Sequence, residues 1–126
     1  MAKIFLNTRD HLVVVDTNLI AAVQADGNYC DIVYINKHRI TVALTISRLE
    51  TLLKTEAEHG IFLRLGRSLI INHAMLYSID TQKQEVLLSK DGVSKLRIRL
   101  SKRLVKTYKA AVVQDINNQQ STHRKS

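Results

Sequence analysis

Proline is absent from this 126-residue sequence, cysteine occurs once, glycine four times, and aromatic residues make up only 5%. The single cysteine, Cys30, excludes an intrachain disulfide and gives no sign of an oxidising compartment. No segment approaches the roughly 18 to 20 consecutive apolar residues that span a bilayer, and the apolar run within residues 1–7 is too short for a signal peptide. A soluble, cytoplasmic protein without membrane insertion is the expectation. Gly27, Gly60, Gly66 and Gly92 are scattered singly, so there is neither a phosphate-cradling loop nor a dinucleotide fingerprint. The lack of proline has no account in the sequence.

Catalytic chemistry is equally hard to assemble. His11, His38, His59, His73 and His123 form no His-x-x-x-His pair, and no Cys-x-x-Cys occurs, so a metal is not expected. Cys30 sits in an apolar, β-branched run with no partner to activate it and reads as a small packed group. No cofactor, no small-molecule substrate and no enzymatic activity are expected. Acid is scarce too. Nineteen Lys and Arg against eleven Asp and Glu give a net charge of +8 and a pI near 9.9, enough to attract a polyanion from a distance.

With 45% hydrophobic residues, the chain suits one domain with its own core. The apolar runs at 3–6 and 11–15, joined by Asn7-Thr8-Arg9-Asp10, predict a hairpin. Asp16-Thr17-Asn18 either caps a short helical turn over 19–22 or leads into a strand through Val23. Turns at Asp26-Gly27-Asn28 and Asn36-Lys37-His38 bracket predicted strands at 29–35 and 39–44. Ile46, Leu49, Leu52 and Leu53 recur at helical spacing, which predicts a helix over 47–58, capped by Thr45 or Ser47 and stopped by Gly60. Residues 68–72 are too short an apolar run to assign between strand and helical turn. Three strands follow at 75–80, 85–89 and 95–100, the last with Leu96, Ile98 and Leu100 on one face and Lys95, Arg97 and Arg99 on the other. Ser101 caps a predicted final helix of about a dozen residues. Residues 115–126 have almost no apolar content and are expected to be a disordered polar tail after a domain at 1–114.

Residues 60–72 organise the rest, because Arg64 and Arg67 stand in an apolar segment that would hold them stiffly. Any cation serves for phosphate contact. Base reading is stricter: arginine's fork matches guanine O6 and N7, and an asparagine amide matches adenine N6 and N7. Arg67 and Asn28 have that chemistry near turns, and the alternative for Arg67 is an ion pair with Asp26, Asp31 or a helix glutamate.

Together, Val23-Gln24-Ala25-Asp26-Gly27-Asn28-Tyr29 and Phe62-Leu63-Arg64-Leu65-Gly66-Arg67-Ser68-Leu69-Ile70-Ile71-Asn72 resemble the LytTR-type DNA-binding domain, over about residues 3–113. The resemblance implies a mainly β, α+β fold: an elongated set of short antiparallel sheets and hairpins with a mid-chain helix and a C-terminal helix. It implies a bacterial transcription regulator that reads double-stranded DNA through loops, on paired repeats with bending of the duplex. Carried over, base contacts fall to Asn28, Tyr29 and Cys30, to Arg67, and to Lys102 and Arg103 beside Arg99, with Arg64 and Ser68 close to phosphates. Two positions depart from the pattern. Gly66 replaces the usual histidine, which would loosen or re-aim Arg67, and Gln24 and Ala25 stand where an acid is common. About 20 residues precede the motif, so the expectation is a stand-alone version of a response-regulator output domain without a receiver, controlled through its expression level, a regulatory protein partner or self-association as a homodimer on DNA. A second reading is an RNA-binding or protein-interaction module, with Arg97 and Arg99 on a polyanion and Tyr29 and Tyr34 stacking on bases.

Overall fold

In the computed structural model, which describes residues 3–56 and 61–124, the chain is mostly strand and forms three antiparallel sheets and two helices. The first hairpin forms as the turn composition predicts, with β1 (Lys3–Asn7) paired to β2 (Leu12–Asp16). The ambiguity after Asp16 resolves into both alternatives in sequence. Asp16 accepts a 3.0 Å hydrogen bond from Asn18 N, capping a single 3-10 turn at Thr17–Leu19, and the chain then enters β3 (Ile20–Asp26).

The central sheet has five strands in the order β5 (Arg39–Val42), β4 (Tyr29–Tyr34), β3, β7 (Leu69–Asn72), β6 (Phe62–Leu65). Residues 69–72 are thus a strand, and an interior one. Because Leu69, Ile70, Ile71 and Asn72 are all buried, their sequence shows no alternation, which is what strands covered on both faces look like. The same holds for Ile20, Ala21, Ala22 and Val23 at the start of β3.

Two cores lie on the two faces of this sheet. On one face Val23, Cys30, Ile32, Phe62 and Ile70 pack against the β1–β2 hairpin and against Leu49 and Leu53 of α1 (Ile46–Glu56). Thr45 caps α1 by accepting from Arg48 N at 3.3 Å. The helix matches the apolar spacing that predicts it, while residues 57, 58 and 60 of the predicted helix and its stop lie outside the described residues. On the other face Ala22, Val33, Leu69 and Ile71 pack against the meander of β8 (Leu76–Asp80), β9 (Glu85–Leu88) and β10 (Leu96–Arg99), and against Val105 and Tyr108 of α2 (Lys102–Arg124). Tyr108 is 3% exposed and its hydroxyl shares a 2.7 Å hydrogen bond with His73 Nδ1. Burial pushes its phenol up to about 12.

One expectation is corrected. The final helix runs Lys102–Arg124, about twice the predicted length, through most of the segment expected to be a disordered tail. No glycine or proline follows Gly92, so no residue there breaks the helical hydrogen-bond ladder once packing of Leu104, Val105 and Tyr108 has nucleated it.

Asn72 ties the end of β7 to the start of its neighbour β3. It is 4% exposed, donates through Nδ2 to the Ile20 carbonyl at 2.8 Å, and accepts at Oδ1 from Ala74 N at 3.0 Å, capping the 3-10 turn His73–Met75. Replacing Asn72 by Ala removes the partner of a buried carbonyl and of a part-buried N–H, so Asn72→Ala should lower stability by about 1–3 kcal/mol. Urea unfolding followed by circular dichroism measures this; an unchanged midpoint would show that water replaces both bonds.

Candidate nucleic-acid interface

The β3–β7 pairing brings two turns side by side. Gln24 faces Leu69 across the ladder, and Ala25 N donates to Ser68 O at 2.9 Å, extending the pairing by one bond. The two-residue turn Gly27-Asn28 and the turn Gly66-Arg67-Ser68 therefore leave the same end of the central sheet. Gly27 takes φ +63° while Asn28 stays at negative φ, the pattern of a type II′ hairpin turn, and both Asn28 and Tyr29 project into solvent, with Tyr29 54% exposed.

The third element arrives from the other core. A groove of about 320 Å³ is lined by Gln24, Arg67 and Ser68 from the central sheet and by Arg99, Ser101 and Leu104 from the junction of β10 with α2. Ser101 caps α2, accepting at Oγ from Leu104 N at 3.2 Å, and Lys102 and Arg103 stand exposed on the helix's first turn. No acidic residue lies in that turn. Two cations at the positive end of a helix dipole oppose the helix's own preference, and the opposition is relieved when an anion sits there.

Arg64 and Arg67 divide sharply. Arg64 is an inward brace: Nε donates to the Gly66 carbonyl at 3.2 Å, Nη2 to the Arg67 carbonyl at 2.8 Å, and Nη1 to Glu50 Oε1 on α1 at 2.8 Å. Every nitrogen of its guanidinium is engaged within the chain, so Arg64, expected close to a phosphate, here shapes the turn that carries Arg67. The glutamate pair considered for Arg67 belongs to Arg64 instead. Arg67's own guanidinium is exposed and has no hydrogen bond or ion pair among the described residues.

Cys30 also moves. Its side chain is fully buried in the core beneath the 27–28 turn, and burial pushes its thiol up, so it is a protonated packing group and not a surface contact. Sequence alternation carries the reason: Tyr29 and Asp31 face outward, so Cys30 between them faces in. The stacking pair of the RNA reading is not brought together, since Tyr34 accepts a 3.0 Å bond from Asp16 N on the far side of the sheet, and Arg97 is paired to Glu85 at 2.7 Å.

Gly66 has a packing role. At φ +69° it takes a conformation that L side chains avoid, and an added Cβ would stand 3.1 Å from Leu104 Cδ1, so the turn rests directly on the first turn of α2. With Arg64 gripping the carbonyls of Gly66 and Arg67, the glycine does not leave the turn loose.

Two outcomes follow from this bracing. Gly66→Ala should cost about 1–2 kcal/mol from the left-handed backbone alone, read as a lower urea midpoint, and an unchanged midpoint would mean that the turn rearranges freely. For Glu50, burial alone would raise the carboxyl, but the hydrogen bonds and charges of Arg64 and Lys54 outweigh it and hold it below its ordinary value of 4.5. A lowered folded pKa contributes stability that is full above the ordinary value and lost as pH falls through the folded one. The stability difference between wild type and Glu50→Gln should therefore be constant above about pH 5.5 and shrink below about pH 4.5. Urea titrations from pH 3.5 to 7 test it.

The sequence model of one protein family, described as the LytTr DNA-binding domain, matches residues 10–112. No curated protein matches the chain. Among solved structures, the chain is similar to the LytTr DNA-binding domain of a protein described as a methyl-accepting/DNA response regulator from Bacillus cereus, with a TM-score of 0.60 at 19% identity over 89% of this chain and 97% of that one. At that identity the likeness is one of fold.

Proposed function

The chain belongs to the LytTR DNA-binding domain family, and from that premise we propose that it is a sequence-specific transcriptional regulator whose base reader is Arg67. The observation that carries this is the groove where Arg67, Ser68 and Arg99 converge, with Arg67 exposed, unpartnered among the described residues, and mounted on a turn that Arg64 holds in shape. A rigid mount matters because an arginine fork discriminates bases only when both of its donors arrive aligned.

Asn28 and Tyr29 on the neighbouring turn enter one major groove beside Arg67, while Lys102 and Arg103 at the start of α2 enter the next. Ser68 and Arg99 lie between them against the backbone. Three short projections at one end of a sheet contact widely spaced base steps more easily when the duplex curves toward them, so DNA bending fits the shape. Binding to paired repeats follows, with a homodimer on DNA or a regulatory protein partner setting when the site is occupied. The reading places the protein in the cytoplasm with the chromosome and assigns it no enzymatic activity; no helix of the described residues is long and apolar enough to cross a membrane.

Selection of bound sequences from a random duplex pool should return a short motif, repeated at fixed spacing. On that motif, Arg67→Ala should cost about 1–3 kcal/mol and flatten the preference at one position, measured by electrophoretic shift against a scrambled duplex. Equal affinity for both duplexes, in wild type and variant alike, would remove the base-reading role.

A further inference from the structure

The register of β3, β4 and β5 sets Gln24, Asp31 and Thr41 in one row across three strands. In the adjacent row Ala22 and Val33 are buried under the meander and α2, and Leu69, which continues this row beyond Gln24, is buried with them, but over Gln24, Asp31 and Thr41 the face is open. Arg39, from the adjacent row, reaches back over it. Its Nη1 donates to Gln24 Oε1 at 2.9 Å and approaches Asp31 Oδ2 at 3.4 Å, while Asp31 Oδ1 accepts from Thr41 Oγ1 at 2.6 Å.

These contacts use one nitrogen only. The opposite edge of the guanidinium, Nε and Nη2 with their parallel N–H bonds, has no partner among the described residues, and the side chain is 52% exposed. The contrast with Arg64 is direct. There the Nε and Nη2 edge closes on two carbonyls of its own chain; on Arg39 the same edge is held outward. A surface pair this exposed contributes little to stability, so what the Gln24, Asp31 and Thr41 network provides is orientation. Gln24 is also a wall of the groove that holds Arg67, which places the outward fork one side chain from that groove.

We infer that Arg39 is a phosphate clamp: its Nε and Nη2 edge takes two oxygens of one backbone phosphate beside the groove and fixes the register in which Arg67 meets the bases. The inference rests on the DNA reading proposed above. A phosphate is the match, and not a base, because Arg39 lies at the start of the edge strand, with its side chain laid over the sheet face and not carried on a projecting turn. A flat surface meets the rim of a duplex and not the floor of its groove. A bidentate guanidinium also suits the geometry of two anionic oxygens, and the nearby Asp31 carboxylate directs its oxygens to Thr41 Oγ1 and to Arg39 Nη1, away from the Nε and Nη2 edge.

The test compares wild type, Arg39→Ala, Arg39→Lys and Arg67→Ala on the selected duplex and on a scrambled one, across a salt series. Arg39→Ala should weaken both duplexes alike, by about tenfold, and reduce the slope of log affinity against log salt by about 0.9, the share of one phosphate. Arg39→Lys should keep the slope and lose several-fold in affinity, since it retains the charge without the fork. Melting temperatures should match wild type for both. An Arg39→Ala variant with wild-type affinity and slope overturns the clamp, and so does a loss confined to the selected duplex, which would make Arg39 a base reader. If wild type itself fails to distinguish the two duplexes, the sequence-reading role falls, while the salt slope still decides whether Arg39 holds a phosphate.

Discussion

The guanidinium of Arg64 closes on the carbonyls of Gly66 and Arg67 while Glu50 holds its third nitrogen from α1, and the exposed end of the molecule takes its shape from that closure. A three-residue turn with a left-handed glycine at its start has several backbone arrangements open to it. Two directed hydrogen bonds from a part-buried cation select one. The anchor in turn depends on α1 being docked by Leu49 and Leu53 over the first core, so helix packing on one face of the sheet fixes a turn at its edge.

The sheet that separates the two cores also joins what each contributes. From the α1 side comes the brace on the 66–68 turn. From the opposite side comes Leu104 beneath Gly66, together with Arg99 and the cationic start of α2. Neither side alone makes the groove. The charged side chains around it differ by how their donors are engaged: Arg64 and Arg97 face acidic partners or carbonyls within the chain, Arg39 is half engaged, and Arg67 has no such partner among the described residues. Net charge attracts a polyanion, but the distribution of free donors decides where it sits.

Local patterning carried most of the fold. The alternation in Leu96–Arg99, the helical spacing of Ile46, Leu49 and Leu53, and the Asp-Gly-Asn turn each have one physical reading. What stayed hidden depends on strand register. That Asn72 bonds to Ile20, or that Arg39 lies against Gln24 and Asp31, cannot be read before it is known which strands are neighbours. The resemblance placed Arg64 and Cys30 among the contacts because both lie in the matching motifs, yet a motif does not say which way a side chain turns; alternation between Tyr29 and Asp31 was the available signal for Cys30. The length of α2 escaped composition because a polar helix and a polar tail share the same residues.

Asn28, Arg67 and Lys102 all stand on short turns or a helix start whose backbone is set by buried neighbours, while the three residues themselves are exposed. Substitutions at these three positions are thus nearly free of folding consequences. If these side chains read the bases as proposed, the recognised sequence would drift over evolutionary time, one residue at a time, on a scaffold that does not register the change, and duplicated copies of such a gene would diverge in target without first losing their stability.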